Sequence, residues 1–250
     1  MDRDRLRQLN KVFSKYFIDL CLEDYMHNFE LVKPFLFFIN EKTGLKSCVV
    51  SLTSNFLVTF RHGTHSSYVK DLTVLDIVSI LSQKQYKATV FYISEEQDYV
   101  ILKADEKVAY RDAPIQQCDV MKKFVVCGFA KGFPELTFIH GTVYSMFPFA
   151  YQYNDRQFGP FVYGTAKTST GDSGAACFGE SGLMAINFGI TIMPKKSHDL
   201  AISEAAIFSP NNYMIPAFDI LKQISILQPK KSAKRPHHEV NIEGMGKFAF

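Results

Sequence analysis

Short apolar runs alternate with polar turns along most of the chain. The runs are rich in Val, Ile, Phe and Tyr, and turn-forming residues bound them, as in CVVSL (48–52), FLVTF (56–60) and YVILK (99–103). Runs of this composition are typical of β-strands, and many short strands between turn signals are typical of a sandwich or barrel. The pattern therefore predicts an all-β fold for the body of the chain.

The first residues follow a different period. Apolar side chains recur there at intervals of three and four residues, which places them on one face of a helix. We predict a helical extension over residues 1–30 that packs on the β-rich body; a helix that binds a partner or regulates the protein is the alternative. The residues of this face are Leu6, Leu9, Val12, Phe13, Tyr16, Phe17 and Leu20.

The last residues, 229–250, leave the apolar pattern and are rich in Lys, Pro and Gly. They hold five Lys or Arg and two Asp or Glu, which equals the whole net charge of +3 and leaves the rest of the chain neutral. We predict a disordered basic tail. An acidic partner or an import receptor that binds KKSAKRP (230–236) is the alternative. The neutral body argues against a nucleic-acid surface on the fold, because phosphate binding relies on clustered basic charge.

Composition bears on size and compartment. The chain has 250 residues, 47% hydrophobic and 14% aromatic, which is enough for one large domain or two small ones. Its five cysteines lie mostly in apolar runs, as small core residues do, and no Cys/His spacing indicates a metal. The start, MDRDRLRQLNKVF, lacks an apolar signal core, and no apolar run reaches membrane-spanning length. We predict a reducing intracellular location, cytoplasmic or nuclear, without membrane contact, metal or other cofactor.

One polar loop carries candidate chemistry: TSTGDSGA (168–175), directly before an apolar run. Gly, Asp and Ser favour tight turns, so a turn without chemical function is the first interpretation. The second is a nucleophile loop, in which the glycines let amide hydrogens and the Ser173 hydroxyl converge on a substrate carbonyl. A serine hydroxyl is a weak nucleophile, so the second interpretation requires a histidine base and a carboxylate that orients it.

Candidates for both groups occur upstream of the loop. His62 follows the predicted strand 56–60, and Asp98 comes directly before the predicted strand that starts at Tyr99. A lone histidine at a strand end is more often structural, and a lone aspartate before a strand is more often a turn residue. Here His62, Asp98 and Ser173 follow one another in that order, each at the edge of a strand-like run. The combination favours the nucleophile loop.

With these residues the chain resembles trypsin-like serine peptidases of the chymotrypsin fold, whose triad has the same order. The resemblance covers residues 35–227 and includes Thr59, three residues before the histidine, and a Gly-x-Val-x-Ser pattern at 141–145. NNYMIPAFDILKQI (211–224) resembles the closing strand and C-terminal helix of the high-temperature-requirement branch. The resemblance implies two six-stranded antiparallel barrels, at about 31–113 and 118–227, the second ending in a short helix.

The resemblance also implies roles for the candidate residues. His62 would act as general base and then general acid, Asp98 would hold its tautomer, and Ser173 would be the nucleophile. The amide hydrogens of Gly171 and Ser173 would form the oxyanion hole. The site would lie in the crevice between the barrels and hydrolyse a polypeptide through an acyl-enzyme.

By the same resemblance, five residues line the substrate pocket: Lys167, Thr168, Asn187, Phe188 and Gly189. Lys167 stands where trypsins carry the aspartate that binds basic substrate side chains, so we do not expect cleavage after Lys or Arg. A lysine that points into the pocket favours an acidic side chain, whereas a lysine in a loop more often points to water.

Several positions depart from secreted trypsins. No activation cleavage motif is present, so Asp172 needs a partner other than a new N-terminus or stays solvated. Gly63 replaces a disulfide cysteine, which leaves packing alone to hold the histidine loop. Arg61 is unusual beside His62, and we expect His65 on the loop surface. Two alternatives remain: an inactive trypsin-like scaffold that binds peptides or proteins, and a viral polyprotein-processing protease.

Overall fold

The structure is a computed structural model that describes residues 29–131, 133–153, 156–190 and 212–228. The helix face predicted within residues 6–20 and the tail predicted at 229–250 lie outside these ranges and stay predictions. Residues 29–32 are helical, and a 3-10 turn at Lys33–Phe35 leads into the first strand. No helix in these ranges is long and apolar enough to cross a bilayer.

The first six strands form a closed antiparallel barrel in the spatial order β1-β2-β3-β6-β5-β4. In β5 the buried residues Ala88 and Val90 lie on one face and the exposed residues Gln85 and Lys87 on the other, as the two-residue period of a strand requires. The strands are β1 Leu36–Asn40, β2 Lys46–Ser51, β3 Phe56–Phe60, β4 Val74–Ser79, β5 Gln85–Ser94 and β6 Tyr99–Ala104.

The next six strands form a second closed antiparallel barrel in the order β10-β11-β12-β9-β8-β7. The helix α1, Ala217–Leu227, follows the last strand directly. The prediction of an all-β protein with two six-stranded barrels and a short C-terminal helix is confirmed. The strands are β7 Lys123–Gly128, β8 Thr137–Tyr153, β9 Arg156–Gly164, β10 Ala176–Phe178, β11 Leu183–Ile190 and β12 Asn212–Pro216.

The apolar core joins the two barrels. One cluster fills the first barrel around Leu57 and Leu102, both fully buried. Another contains Val50 of β2 and Ile186 of β11 and extends to Ile220 of α1. Burial of apolar surface stabilises by roughly 25 cal/mol per Å², so this shared cluster fixes the barrels against each other and sets the crevice between them.

Candidate active site

Strand pairing brings His62 and Asp98 together. β3 and β6 are antiparallel neighbours, with Phe60 opposite Tyr99, so the end of one strand meets the start of the other. The Arg61 amide donates a hydrogen bond to the Asp98 carbonyl at 2.8 Å and extends this pairing by one step. Asp98 has a positive φ of 54°, and its carboxylate Oδ2 accepts a hydrogen bond from Nδ1 of His62.

Ser173 reaches the same point from the second barrel. It lies in the turn between β9 and β10, and the distance between its Oγ and Nε2 of His62 is 2.9 Å. Because Nδ1 of His62 donates to the carboxylate, Nε2 is the nitrogen left to accept the serine proton. The structure thus joins the three predicted residues in one hydrogen-bonded chain across the crevice.

Burial differs along this chain. The Asp98 side chain is 6% exposed, whereas the His62 side chain is 44% exposed and borders the crevice. Burial raises the pKa of Asp98, and the hydrogen bond and charge of His62 oppose that shift. An imidazole that takes up a proton therefore gains an ion pair with a carboxylate that has little other solvation.

The two amides predicted to form an oxyanion hole are not engaged by the rest of the described chain. Neither the Gly171 nor the Ser173 amide donates a hydrogen bond to any described residue. The carbonyl of Thr170 accepts a hydrogen bond from the Lys131 amide at 2.7 Å. Since C=O and N–H point in opposite directions in a trans peptide, this bond turns the Gly171 amide hydrogen away from Lys131.

The turn that carries Ser173 needs both of its glycines. Gly171 and Gly174 have φ values of +100° and +78°, where an L side chain is strained. A Cβ on Gly171 would lie 2.3 Å from the Phe129 carbonyl oxygen, and one on Gly174 would lie 2.7 Å from the Cys48 carbonyl oxygen. The turn therefore packs directly against the backbone of both barrels.

Two buried asparagines support the turn from below. Nδ2 of Asn187 donates to the Asp172 carbonyl at 2.8 Å, and Nδ2 of Asn212 donates to Oδ1 of Asn187 at 3.0 Å. The Ala166 amide donates to Oδ1 of Asn212 at 3.2 Å, which completes the relay. These bonds tie the turn to β11, to β12 and to the segment after β9.

Asp172 finds a partner within its own loop. Its Oδ2 accepts hydrogen bonds from the amide of Ser169 at 2.8 Å and from the hydroxyl of Ser169 at 3.3 Å. Its Oδ1 is buried and has no partner among the described residues. Burial raises the pKa of Asp172, and the Ser169 hydrogen bonds only partly oppose that shift.

The five predicted pocket residues have different environments. Lys167 is exposed, and Thr168 is buried with an Oγ1 that has no partner in the described part of the chain. Asn187 turns its side chain into the buried relay. The Phe188 ring packs edge-on against His62, with 5.6 Å between centroids, and a Cβ on Gly189 would meet no described atom within 4 Å.

The loop after His62 differs from the expectation for His65. That ring was expected on the surface, but it is fully buried, because Phe60 and Tyr68 stack on it and both ring nitrogens have partners. The Arg61 side chain binds other groups than the His62 ring: its Nε pairs with Glu95 at 3.1 Å and its Nη1 donates to the His65 carbonyl.

Two further residues, Glu41 and Asn212, support the site and were not predicted from the sequence. Glu41 lies in the turn before β2, beside no motif, and its Oε1 is 2.9 Å from Nε2 of His65. Asn212 lies in the stretch 211–224 that resembles a closing strand, but nothing in that stretch marks it as a partner of Asn187. Among the described residues, no cluster of His, Cys, Asp and Glu could hold a metal ion.

Comparison with known proteins places the chain by fold. No protein-family model and no curated protein matches the sequence. The active form of the Rv3671c protease from M. tuberculosis is similar with a TM-score of 0.60 and 14% identity, over 80% of this chain and 85% of that chain. The MamO protease domain from Magnetospirillum magneticum has a TM-score of 0.57 at 14% identity, over 77% and 96%.

The HtrA-type protease AlgW, in a structure with a tripeptide, has a TM-score of 0.59 at 16% identity, over 82% of this chain and 64% of that chain. Sequence identities this low establish a shared fold and nothing more. The chain has the trypsin-like fold that these serine proteases share, and the resemblance predicted from its motifs is confirmed at that level.

Proposed function

We propose that the protein is a serine endopeptidase that cleaves polypeptides through an acyl-enzyme intermediate. The observation that supports this most directly is the hydrogen-bonded chain from Ser173 through His62 to Asp98. Acyl transfer requires a nucleophile, a base and an orienting carboxylate, and this arrangement supports assigning those roles to Ser173, His62 and Asp98.

In the proposed reaction, Oγ of Ser173 attacks the scissile carbonyl while Nε2 of His62 takes the hydroxyl proton. The carbonyl oxygen becomes an oxyanion, which the amide hydrogens of Gly171 and Ser173 bind. The C–N bond then breaks, and the imidazolium gives its proton to the leaving amine. Water then enters, loses a proton to His62 and attacks the ester carbonyl; the C–O bond to Oγ of Ser173 breaks, and the imidazolium returns the proton to Oγ. Asp98 keeps Nδ1 protonated throughout and stabilises the imidazolium.

Cysteine chemistry does not compete with Ser173 in this proposal. Cys177, four residues further on, is fully buried, and burial raises the pKa of its thiol well above the usual value. Cys48 lies close to the turn, but burial raises its pKa to about 12. The described cysteines, Cys48, Cys118, Cys127 and Cys177, are all free thiols. This supports our proposal of a reducing intracellular location.

For specificity we propose a pocket beside Phe188 and Gly189 that does not prefer Lys or Arg. Lys167, at the position where trypsins carry their aspartate, is exposed. A peptide library would test this, and efficient cleavage after Lys or Arg would overturn it.

The decisive experiment for the proposed function is covalent labelling with a fluorophosphonate. We expect wild type to react at a single serine, and Ser173→Ala and His62→Ala to lose labelling by several orders of magnitude, roughly 10⁴-fold or more. The melting temperature of Ser173→Ala should stay within about 2 °C of wild type, since only a surface hydroxyl is lost. Ser181→Ala, which removes an exposed serine of the second barrel, is the matched control. Folded wild type that does not react would refute the proposal.

A further inference from the structure

The loop behind His62 contains a second histidine with an unusual environment. His65 lies in the 3-10 turn Gly63–Ser67, and its ring has no exposed surface. Phe60 stacks on it with 4.1 Å between centroids, and Tyr68 stacks on it at 4.5 Å. A fully buried imidazole between two aromatic rings has its orientation fixed on both faces.

Both ring nitrogens of His65 face acceptors. Nδ1 lies 2.9 Å from the Phe60 carbonyl oxygen, and Nε2 lies 2.9 Å from Oε1 of Glu41. A carbonyl can only accept, so Nδ1 must carry hydrogen. The contact to Glu41 then needs one more proton, held either by the ring or by the carboxyl group. A neutral ring facing a carboxylate would place two acceptors together in a buried site, which is costly.

With this proton, Glu41, His65 and the Phe60 carbonyl form a hydrogen-bonded chain, here called the brace, that starts outside the histidine loop. Glu41 lies in the turn between β1 and β2, and its Oε1 also accepts a hydrogen bond from the Ser47 hydroxyl of β2 at 2.6 Å. Through His65 this carboxyl group holds the Phe60 carbonyl. The Phe60 ring in turn contacts the ring of His62, with 4.7 Å between centroids.

We propose that the Glu41–His65 pair positions His62 for catalysis, and that the single proton shared by the pair makes this positioning, and hence activity, depend on pH. The inference rests on the proposed function, because it concerns the base of that reaction. His65 is fully buried, so we assign it as a positioning residue.

The groups that face His65 set how the proton is held. Burial lowers the pKa of His65 and the nearby His62 adds to this shift, whereas the hydrogen bonds to the Phe60 carbonyl and to Glu41 only partly oppose it. Arg61 lies at the backbone of the loop, where Nη1 donates to the His65 carbonyl and Nε pairs with Glu95. Burial raises the pKa of Tyr68, so this neighbour stays neutral. The shared proton is lost as pH rises, and the brace loosens on the alkaline side.

The test measures the rate of fluorophosphonate labelling against pH in wild type, Glu41→Gln and Glu41→Ala. A glutamine amide can donate to Nε2 of a neutral ring, so it keeps the brace without the shared proton. We expect the wild-type rate to fall on the alkaline side, as the pair loses its shared proton. The Glu41→Gln rate should show no such fall. The Glu41→Ala rate should be about tenfold or more lower at every pH, because a misplaced base is costly.

Glu106→Gln, which alters an exposed partner of Lys84, is the matched control and should follow wild type. Superimposable profiles for wild type, Glu41→Gln and Glu41→Ala would overturn the inference while labelling itself upheld the proposed function. If Glu41→Ala does not fold, the alkaline limb of Glu41→Gln decides alone: a fall identical to wild type overturns the inference.

A second readout does not need activity. The hydrogen on Nδ1 of His62, bonded to Asp98, should give a downfield proton resonance that can be followed by NMR. We expect Glu41→Ala to shift or broaden it and Glu41→Gln to preserve it. If wild type is never labelled but this pattern holds, the proposed function fails and the brace stands. An unchanged resonance in Glu41→Ala would show that the pair does not position His62.

Discussion

The two barrels position their halves of the candidate site by different physical means. On the first barrel, hydrogen bonds between side chains fix the site: Asp98 binds His62, and Glu41 binds His65 in the loop that follows His62. On the second barrel, backbone geometry dominates, because the Ser173 turn is shaped by residues with positive φ and by amides that bind carbonyl oxygens.

This difference decides which substitutions each half tolerates. Where side chains hold the site, removing or changing a polar atom is the damaging event. Where the backbone holds the site, adding a single Cβ is damaging, because the turn approaches the Cys48 and Phe129 carbonyls closely. A base must keep one tautomer, whereas an oxyanion hole must keep two amide hydrogens fixed in space.

The largest effect of a single polar atom is expected at Asp98. In Asp98→Asn the new amide can donate to Nδ1 of His62, so the ring hydrogen moves to Nε2. A protonated Nε2 cannot accept the hydroxyl proton of Ser173. We expect the labelling rate to fall on the order of 10⁴-fold with the fold intact. Asp76→Asn, which changes an exposed partner of Lys87, is the control and should label normally. A near-wild-type labelling rate for Asp98→Asn would mean that the reaction does not depend on Asp98 holding the ring hydrogen on Nδ1 of His62.

On the second barrel, the corresponding test is Gly174→Ala. The new Cβ would meet the Cys48 carbonyl oxygen at 2.7 Å and the Phe60 ring at 3.1 Å, in a backbone with φ of +78°. We expect a loss of about 2 kcal/mol or more in unfolding free energy and roughly a hundredfold lower labelling rate. Chemical denaturation and labelling would measure these effects.

Gly44→Ala supplies a closely matched control for that substitution. Gly44 has φ of +80°, but a Cβ there meets no described atom within 4 Å, so it carries the backbone strain without the steric clash. The loss of unfolding free energy in Gly174→Ala beyond the loss in Gly44→Ala measures how tightly the Ser173 turn packs on the first barrel. Equal losses in the two variants would contradict the close approach.

The same contrast explains what could be predicted from sequence. Strands follow from local alternation, and His62, Asp98 and Ser173 each lie at a strand edge, so barrels and triad candidates could be found in short stretches. The environment of His65 could not be predicted, because its hydrogen-bond partner Glu41 lies 24 positions earlier in the chain. The hydrogen bond from Asn212 to Asn187 could not be predicted either, because the two residues lie 25 positions apart on different strands.

The smallest effect that we predict is on stability, at Asp172. Because burial raises the pKa of this carboxyl group, the folded protein binds its proton more tightly than the unfolded chain does. The stabilisation by protonation is therefore complete below the unfolded pKa of about 3.9 and is lost as pH rises through the higher folded value. Asp172→Asn removes this titration, and its amide oxygen can still accept the Ser169 amide hydrogen.

We therefore expect Asp172→Asn to gain stability relative to wild type between pH 4 and pH 7, by on the order of 1 kcal/mol. Urea unfolding at both pH values measures this difference. The contribution of Asp98 to the pH dependence of stability cancels in the comparison, because both proteins contain Asp98. Asp105→Asn, at an exposed position, should show no such change between the two pH values. If Asp172→Asn were less stable than wild type at pH 7 but not at pH 4, the charged Asp172 carboxylate would stabilise the folded protein. Oδ1 would then have a partner beyond the described residues, and the second barrel would also rely on a side-chain ion pair.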